Sequence, residues 1–119
     1  MNSTLATRIA AVMGLLAVAL GAFGAHALKD LLAQNGTAAI WEKAGFYHFI
    51  HAVMLFVLAE RKPFPAAAWW GFLTGIILFS GSLYLLAVTS VHWLGWVTPF
   101  GGVSFLFGWA LLVFKSPRA

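Results

Sequence analysis

Leu78-Phe-Ser-Gly-Ser-Leu-Tyr84 lies inside the charge-free run Ala66 to Val88. About 20 apolar residues at 1.5 Å per residue make a helix about 30 Å long, enough to cross the hydrocarbon core of a bilayer. The run therefore reads as a membrane span. Yet Ser80, Ser82 and Tyr84 carry hydroxyls where lipid favours plain hydrocarbon. A hydroxyl in oil is costly unless it is hydrogen-bonded, so other helices of the same chain must answer these groups. That requirement predicts a helical bundle.

The surrounding sequence agrees. Upstream, Glu60, Arg61 and Lys62 precede Pro63 and Pro65, and the prolines stop any helix arriving from that side. Downstream, Thr89 to Val97 is a short connector holding His92, Trp93 and Trp96. The whole chain has 119 residues, 62% hydrophobic and 8% charged. A soluble domain is nearer a quarter charged, so this composition belongs to a membrane protein. The expected spans are about 9–28, 38–59, 66–88 and 98–114, leaving room for one domain only. The fold class is therefore all-α, an integral membrane four-helix bundle. The absence of cysteine excludes disulfides, thiolate metal sites and cysteine catalysis.

The run Ile9 to Leu28 also mimics a secretory signal, with Arg8 before it and Ala25-His26-Ala27 as a cleavage-like site. Its length and the spans that follow favour a retained helix. Lys29 to Gly36 reads as a polar break, with Asn35-Gly36 a turn and Thr37 an N-cap for the second span. Trp41, Glu42 and Lys43 mark the wet end of that span, and Trp69 and Trp70 sit at interface depth in the third. Thr98-Pro99 opens the fourth, with proline in the first turn. Arg8, Arg61, Lys62, Lys115 and Arg118 fall on one side, against Lys29 and Lys43 on the other. The positive-inside rule then places both termini in the cytoplasm.

Small residues recur at helical spacing. Ala10, Gly14, Ala17, Gly21 and Gly24 share a face of the first span, Gly71, Gly75 and Ser82 a face of the third, and Gly101, Ser104 and Gly108 a face of the fourth. Such faces let helices approach closely. The polar residues His26, Tyr47, His48, His51, Ser80, Ser82, Tyr84, Thr98 and Ser104 project to the non-cytoplasmic half, and a polar cluster packed between helices is expected there. His48 and His51 at i and i+3 share a helix face. They could ligate a metal, but no carboxylate or cysteine lies at their depth to complete a tetrahedral set. Hydrogen-bonded structural histidines are the favoured reading. The apolar interior of the spans holds no Asp or Glu, which argues against carboxylate-centred ion exchange, and Asp30 is alone in a loop, so no Ser-His-Asp set exists.

Three stretches carry a resemblance: Leu20-Gly-Ala-Phe-Gly-Ala-His26-Ala-Leu28, Leu78 to Tyr84, and Thr98-Pro-Phe-Gly-Gly-Val-Ser104 with Gly108-Trp109, joined by Tyr47 and His51 in a Tyr-x-x-x-His pattern. Together they resemble the domain-of-unknown-function 423 family, small multi-pass bacterial membrane proteins with relatives in eukaryotes. The resemblance implies four helices in the bacterial inner membrane and places glutamine at position 48 in relatives. It implies no activity, substrate or cofactor.

The expectation is therefore a non-catalytic subunit, stabiliser or assembly partner, not an enzyme, with no metal or cofactor and no nucleic-acid partner. Its partners would be the lipid bilayer and either itself or another membrane protein. The alternatives are a small oligomeric transporter or channel using the polar cluster, or a binder of a lipid-soluble cofactor through His51 and Tyr84.

Overall fold

A computed structural model describes residues 1–115. Pro117 and Arg118, assigned above to the tail, lie outside the described residues. Among those described, the chain is helical and contains no strand. The helices are α1 (Ser3–Ala25), α2 (Lys29–Asn35), α3 (Ala38–Ala59), α4 (Ala66–Gly75), α5 (Gly81–Thr89) and α6 (Thr98–Phe114). One π-helical turn, Ile76–Ser80, joins α4 to α5, so Ala66–Thr89 forms one rod.

Three helical stretches are long and apolar enough to cross a membrane: Ser3–Ala25, Ala66–Thr89 and His92–Phe114, the last including the 3₁₀ turn His92–Trp96. Helix α3 has the length, at 22 residues, but is not among them. Glu42, Lys43, Tyr47, His48 and His51 dilute its hydropathy.

Several local expectations need correction. The first helix starts at Ser3 instead of near residue 9, because the Asn2 side chain accepts from the Leu5 N–H at 2.8 Å and caps it. The polar break folds as the short helix α2, which buries Leu32. Gly36 then closes it with φ of 67°, a left-handed conformation that glycine adopts without steric cost. Thr37 does not cap α3 through its side chain. Its hydroxyl donates to the Ala87 carbonyl at 2.6 Å and ties the start of α3 to the end of α5. Trp41 and Trp69 do not lie on the outer surface of the bundle but are buried within it, each in contact with main chain. Their indole N–H groups donate to the Leu20 carbonyl at 3.0 Å and the Leu55 carbonyl at 3.2 Å. Trp70 is exposed.

Helix α3 is central. It runs antiparallel to α1 on one side, from Ser3 bonded to the Ala59 carbonyl to Trp41 bonded to that of Leu20. On another side it lies against the α4–α5 rod, which in turn packs on α6. The main core gathers Ala6, Ala10, Leu55, Leu58, Trp69, Phe72 and Phe105 from all these elements.

The small residues divide by neighbour. On α1 the buried positions are Ala6, Ala10 and Ala17, and a side chain at Gly24 would strike the Trp41 ring. Gly14 and Gly21 have nothing within 4 Å, so they do not serve this contact, contrary to the sequence reading. Between the rod and α6, a Cβ on Gly71 would come within 3.3 Å of the Ser104 carbonyl and 3.5 Å of the Gly108 Cα, one on Gly75 would strike the Phe105 ring, and one on Gly108 the Phe72 ring. Gly101 abuts the main chain of Phe79, inside the π turn. A π turn widens the helix, and here only a residue without Cβ leaves room beside it.

Gly101→Ala is therefore expected to destabilise by about 1–3 kcal/mol through overpacking. Gly14→Ala should leave stability unchanged or raise it by up to about 1 kcal/mol. Unfolding by SDS in mixed micelles would measure both, and equal losses would contradict the packing described.

Candidate functional site

The polar side chains do not meet in one cluster. They form separate pairs strung along the bundle, and α3 supplies the two buried histidines. His48 and His51 are each 3% exposed, and they look toward different neighbours. Three residues apart on a helix, two side chains share a face but diverge by about 60°. That divergence is enough to send one toward α1 and α5 and the other toward α4 and α6.

His48 Nδ1 lies 2.9 Å from the Tyr84 hydroxyl, and either group can donate. The Tyr84 ring packs on Trp41 with centroids 4.7 Å apart. His48 Nε2 has no hydrogen-bond partner, with the Met13 backbone the polar neighbour on that side. His51 is fully engaged. Its Nδ1 is 2.7 Å from the Tyr47 carbonyl, which can only accept, so Nδ1 carries the proton. Its Nε2 accepts from the Trp109 indole N–H at 3.0 Å. These two bonds define a neutral imidazole protonated on Nδ1. The ring also stacks on Phe105 at a centroid distance of 3.7 Å and meets Phe72 edge-on. No lone pair on His51 remains free, so a metal or haem iron could reach it only by displacing Trp109.

The serines bond mostly to main chain. Ser80, fully buried, donates to the Ala44 carbonyl at 2.8 Å, and Ser104 to the Gly71 carbonyl at 2.7 Å. Ser82 donates to the Phe79 carbonyl at 3.0 Å or shares a proton with the Thr98 hydroxyl at 2.6 Å. Helical carbonyls accept these extra donors because each oxygen has two lone pairs. Tyr47 is more than a third exposed and packs its ring on Phe79 at 4.7 Å. His26 is exposed in the C-cap of α1 and joins none of these pairs.

Depth along the helices also differs from the sequence reading. His51 lies nearer the Ala59 end of α3 than the Ala38 end, and Ser104 bonds near the start of α4. For His51 the limits of α3 alone are enough to show this, whereas the depth of Ser104 depends on which part of α4 lies opposite it. The sequence reading gave Trp109 no partner, took Asn35 only as a turn residue and took Trp41 only as a marker of the wet end of its span. Asn35 donates to the Ala87 and Val88 carbonyls at 3.1 and 3.3 Å. A usable signal was present, since a buried indole N–H needs an acceptor.

These features define a helical, multi-pass membrane protein whose interior polar side chains are mostly bonded to main-chain carbonyls and to one another across the helices. A family model described as "Protein of unknown function (DUF423)" matches residues 20–102. The UPF0382 membrane protein YwdK of Bacillus subtilis is 42% identical over 116 residues, covering 92% of this chain and 94% of that protein. A UPF0382 membrane protein of Staphylococcus epidermidis is 43% identical over 112 residues, covering 91% of each. The UPF0382 inner membrane protein YgdD of Escherichia coli is 40% identical over 124 aligned positions, covering 99% of this chain and 93% of that protein. The chain belongs to this DUF423/UPF0382 family of membrane proteins. No solved structure matches it significantly.

A double-mutant cycle of His51→Phe and Trp109→Phe should show a coupling of about 0.6–1.7 kcal/mol, the range for hydrogen bonds between membrane helices. Tryptophan-to-phenylalanine alone should cost more than the coupling, because it leaves the buried Nε2 without a donor. Additive losses in the same unfolding assay would show that the bond does not couple the two helices.

Proposed function

We propose that this chain is a one-domain, four-span protein of the inner membrane, with both termini in the cytoplasm. We read it as a subunit, stabiliser or assembly partner without catalysis of its own. The fourth span in this reading is α3. It lies along α1 and the α4–α5 rod from end to end, and a helix packed in that way shares the depth of its neighbours. Arg61, Lys62 and Lys115 gather at one end of the bundle, which supports the cytoplasmic assignment.

The observation that carries the functional reading is the engagement of the interior polar groups. His51, Ser80, Ser82, Thr98 and Ser104 all hold hydrogen bonds inside the chain, with no reactive pair among them. The outward faces are different. Leu15, Val18 and Phe23 of α1 and Phe100, Val103, Leu106 and Phe107 of α6 are exposed. Gly14 and Gly21 have open space in front of them. Glycine faces of this kind suit close approach by a further helix.

In mild detergent the chain is expected to run as part of a larger assembly, and Gly14→Leu combined with Gly21→Leu should release it with its unfolding unchanged. A native chain that always runs alone would count against the reading. Orientation can be checked separately, because the chain has no native cysteine. Lys29→Cys should react with an impermeant maleimide from outside intact cells, and Lys62→Cys only after permeabilisation. The reverse pattern would overturn the topology.

A further inference from the structure

At the end of the bundle where α3 stops and α4 begins, a cavity of about 610 Å³ opens between the Arg61–Pro65 loop, the first turn of α4 and the end of α6. Three cations line it, Arg61, Lys62 and Lys115, and Arg61 is half-buried. Among the described residues none of the three has an ion-pair partner. Among the described residues, the carboxylate next to the loop, that of Glu60, is exposed in the C-cap of α3 and is not part of the cavity lining. The opposite wall is apolar, built from Phe64, Pro65, Leu111 and Leu112.

The chemistry of this lining is two-sided. Three positive charges around a cavity, without an ion-pair partner among the described residues, create a strong local preference for an anion. The floor adds to it. Ala66 donates to the Phe64 carbonyl and Trp69 to that of Pro65, but the N–H groups of Ala67 and Ala68 between them have no acceptor among the described residues. No acidic residue and no capping side chain occupies this first turn. Free N–H groups at a helix start carry partial positive charge. The apolar wall, in contrast, has no use for a small hydrated anion. The cavity is also far larger than one phosphate requires, and it sits where apolar helices meet the aqueous boundary.

We propose that this cavity binds the headgroup of an anionic phospholipid, of the phosphatidylglycerol or cardiolipin class. The phosphodiester sits among Arg61, Lys62, Lys115 and the Ala67 and Ala68 N–H groups. The glycerol and upper acyl chains lie against Phe64, Leu111 and Leu112. Basic pockets between membrane helices near the interface are suited to such headgroups. The proposal does not depend on which leaflet this end faces, nor on the assembly role proposed above.

The test uses the full chain in a neutral detergent, titrated with phosphatidylglycerol, with phosphatidylcholine of the same chain length, or with inorganic phosphate. Thermal unfolding is followed by tryptophan fluorescence. Phosphatidylglycerol should raise Tm in a saturable way, while phosphatidylcholine and inorganic phosphate should not. Arg61→Gln or Lys115→Gln should each weaken the apparent affinity about five-fold. Ala67→Glu is the discriminating variant. Its carboxylate favours the helix start and so should preserve or raise Tm without lipid, yet it should abolish the response to phosphatidylglycerol. An equal response to phosphatidylcholine would overturn the proposal, as would an equal response to inorganic phosphate. A full phosphatidylglycerol response in the Ala67→Glu chain or in the Arg61→Gln, Lys115→Gln double variant would overturn it too.

Discussion

A polar group taken out of water must find its partner inside the protein, and in this chain that constraint acts mainly through one helix. Helix α3 carries His48 and His51 close together, and their slight angular divergence gives each a different set of neighbours. His48 reaches Tyr84 on α5, and His51 reaches Trp109 on α6. A slip or rotation of α3 against either neighbour would break one of these bonds in a medium that offers no water in exchange. The aromatic shell adds to this. Phe105 stacks flat on His51, and Trp41 packs on Tyr84, so each polar pair is also closed off by rings.

The other cross-links are mostly from side chain to main chain, and they explain the small residues. Ser80, Ser104, Thr37, Trp41 and Trp69 each donate to a helical carbonyl on another element. A short side chain such as serine reaches a neighbouring backbone only when the helices are close. Gly71 and Gly108 lower the surface between the rod and α6 so that Ser104 can bridge. Gly101 does the same for the widened turn at Phe79. Close packing and backbone hydrogen bonding are thus one arrangement. Apart from His48 Nε2, the buried polar side chains are engaged in holding the bundle together, and the proposed roles accordingly rest on the outer faces of α1 and α6 and on the basic cavity at the Arg61 end.

Composition and charge spacing were enough to determine the membrane class, the helical fold and the approximate limits of the later helices, because a bilayer demands long apolar helices whatever their neighbours are. The limits of Thr98–Phe114 and the start of Ala38–Ala59 were legible for that reason. So was the need of Ser80, Ser82 and Tyr84 for partners. Which partner each would take was not legible. Periodicity gives the direction of a side chain around its own helix, but not the tilt, offset or widened turn that sets what lies opposite. Hence Ala10, Gly14, Ala17, Gly21 and Gly24 could be read as one packing face although, within this chain, Ala10, Ala17 and Gly24 pack while a Cβ on Gly14 or Gly21 would meet nothing. The expected single polar cluster became separate pairs for the same reason, and Trp109, silent in the sequence, proved to be the donor that defines the protonation of His51. The tertiary structure alone decided these matters, because a hydrogen bond depends on two helices at once and each stretch of sequence describes only one.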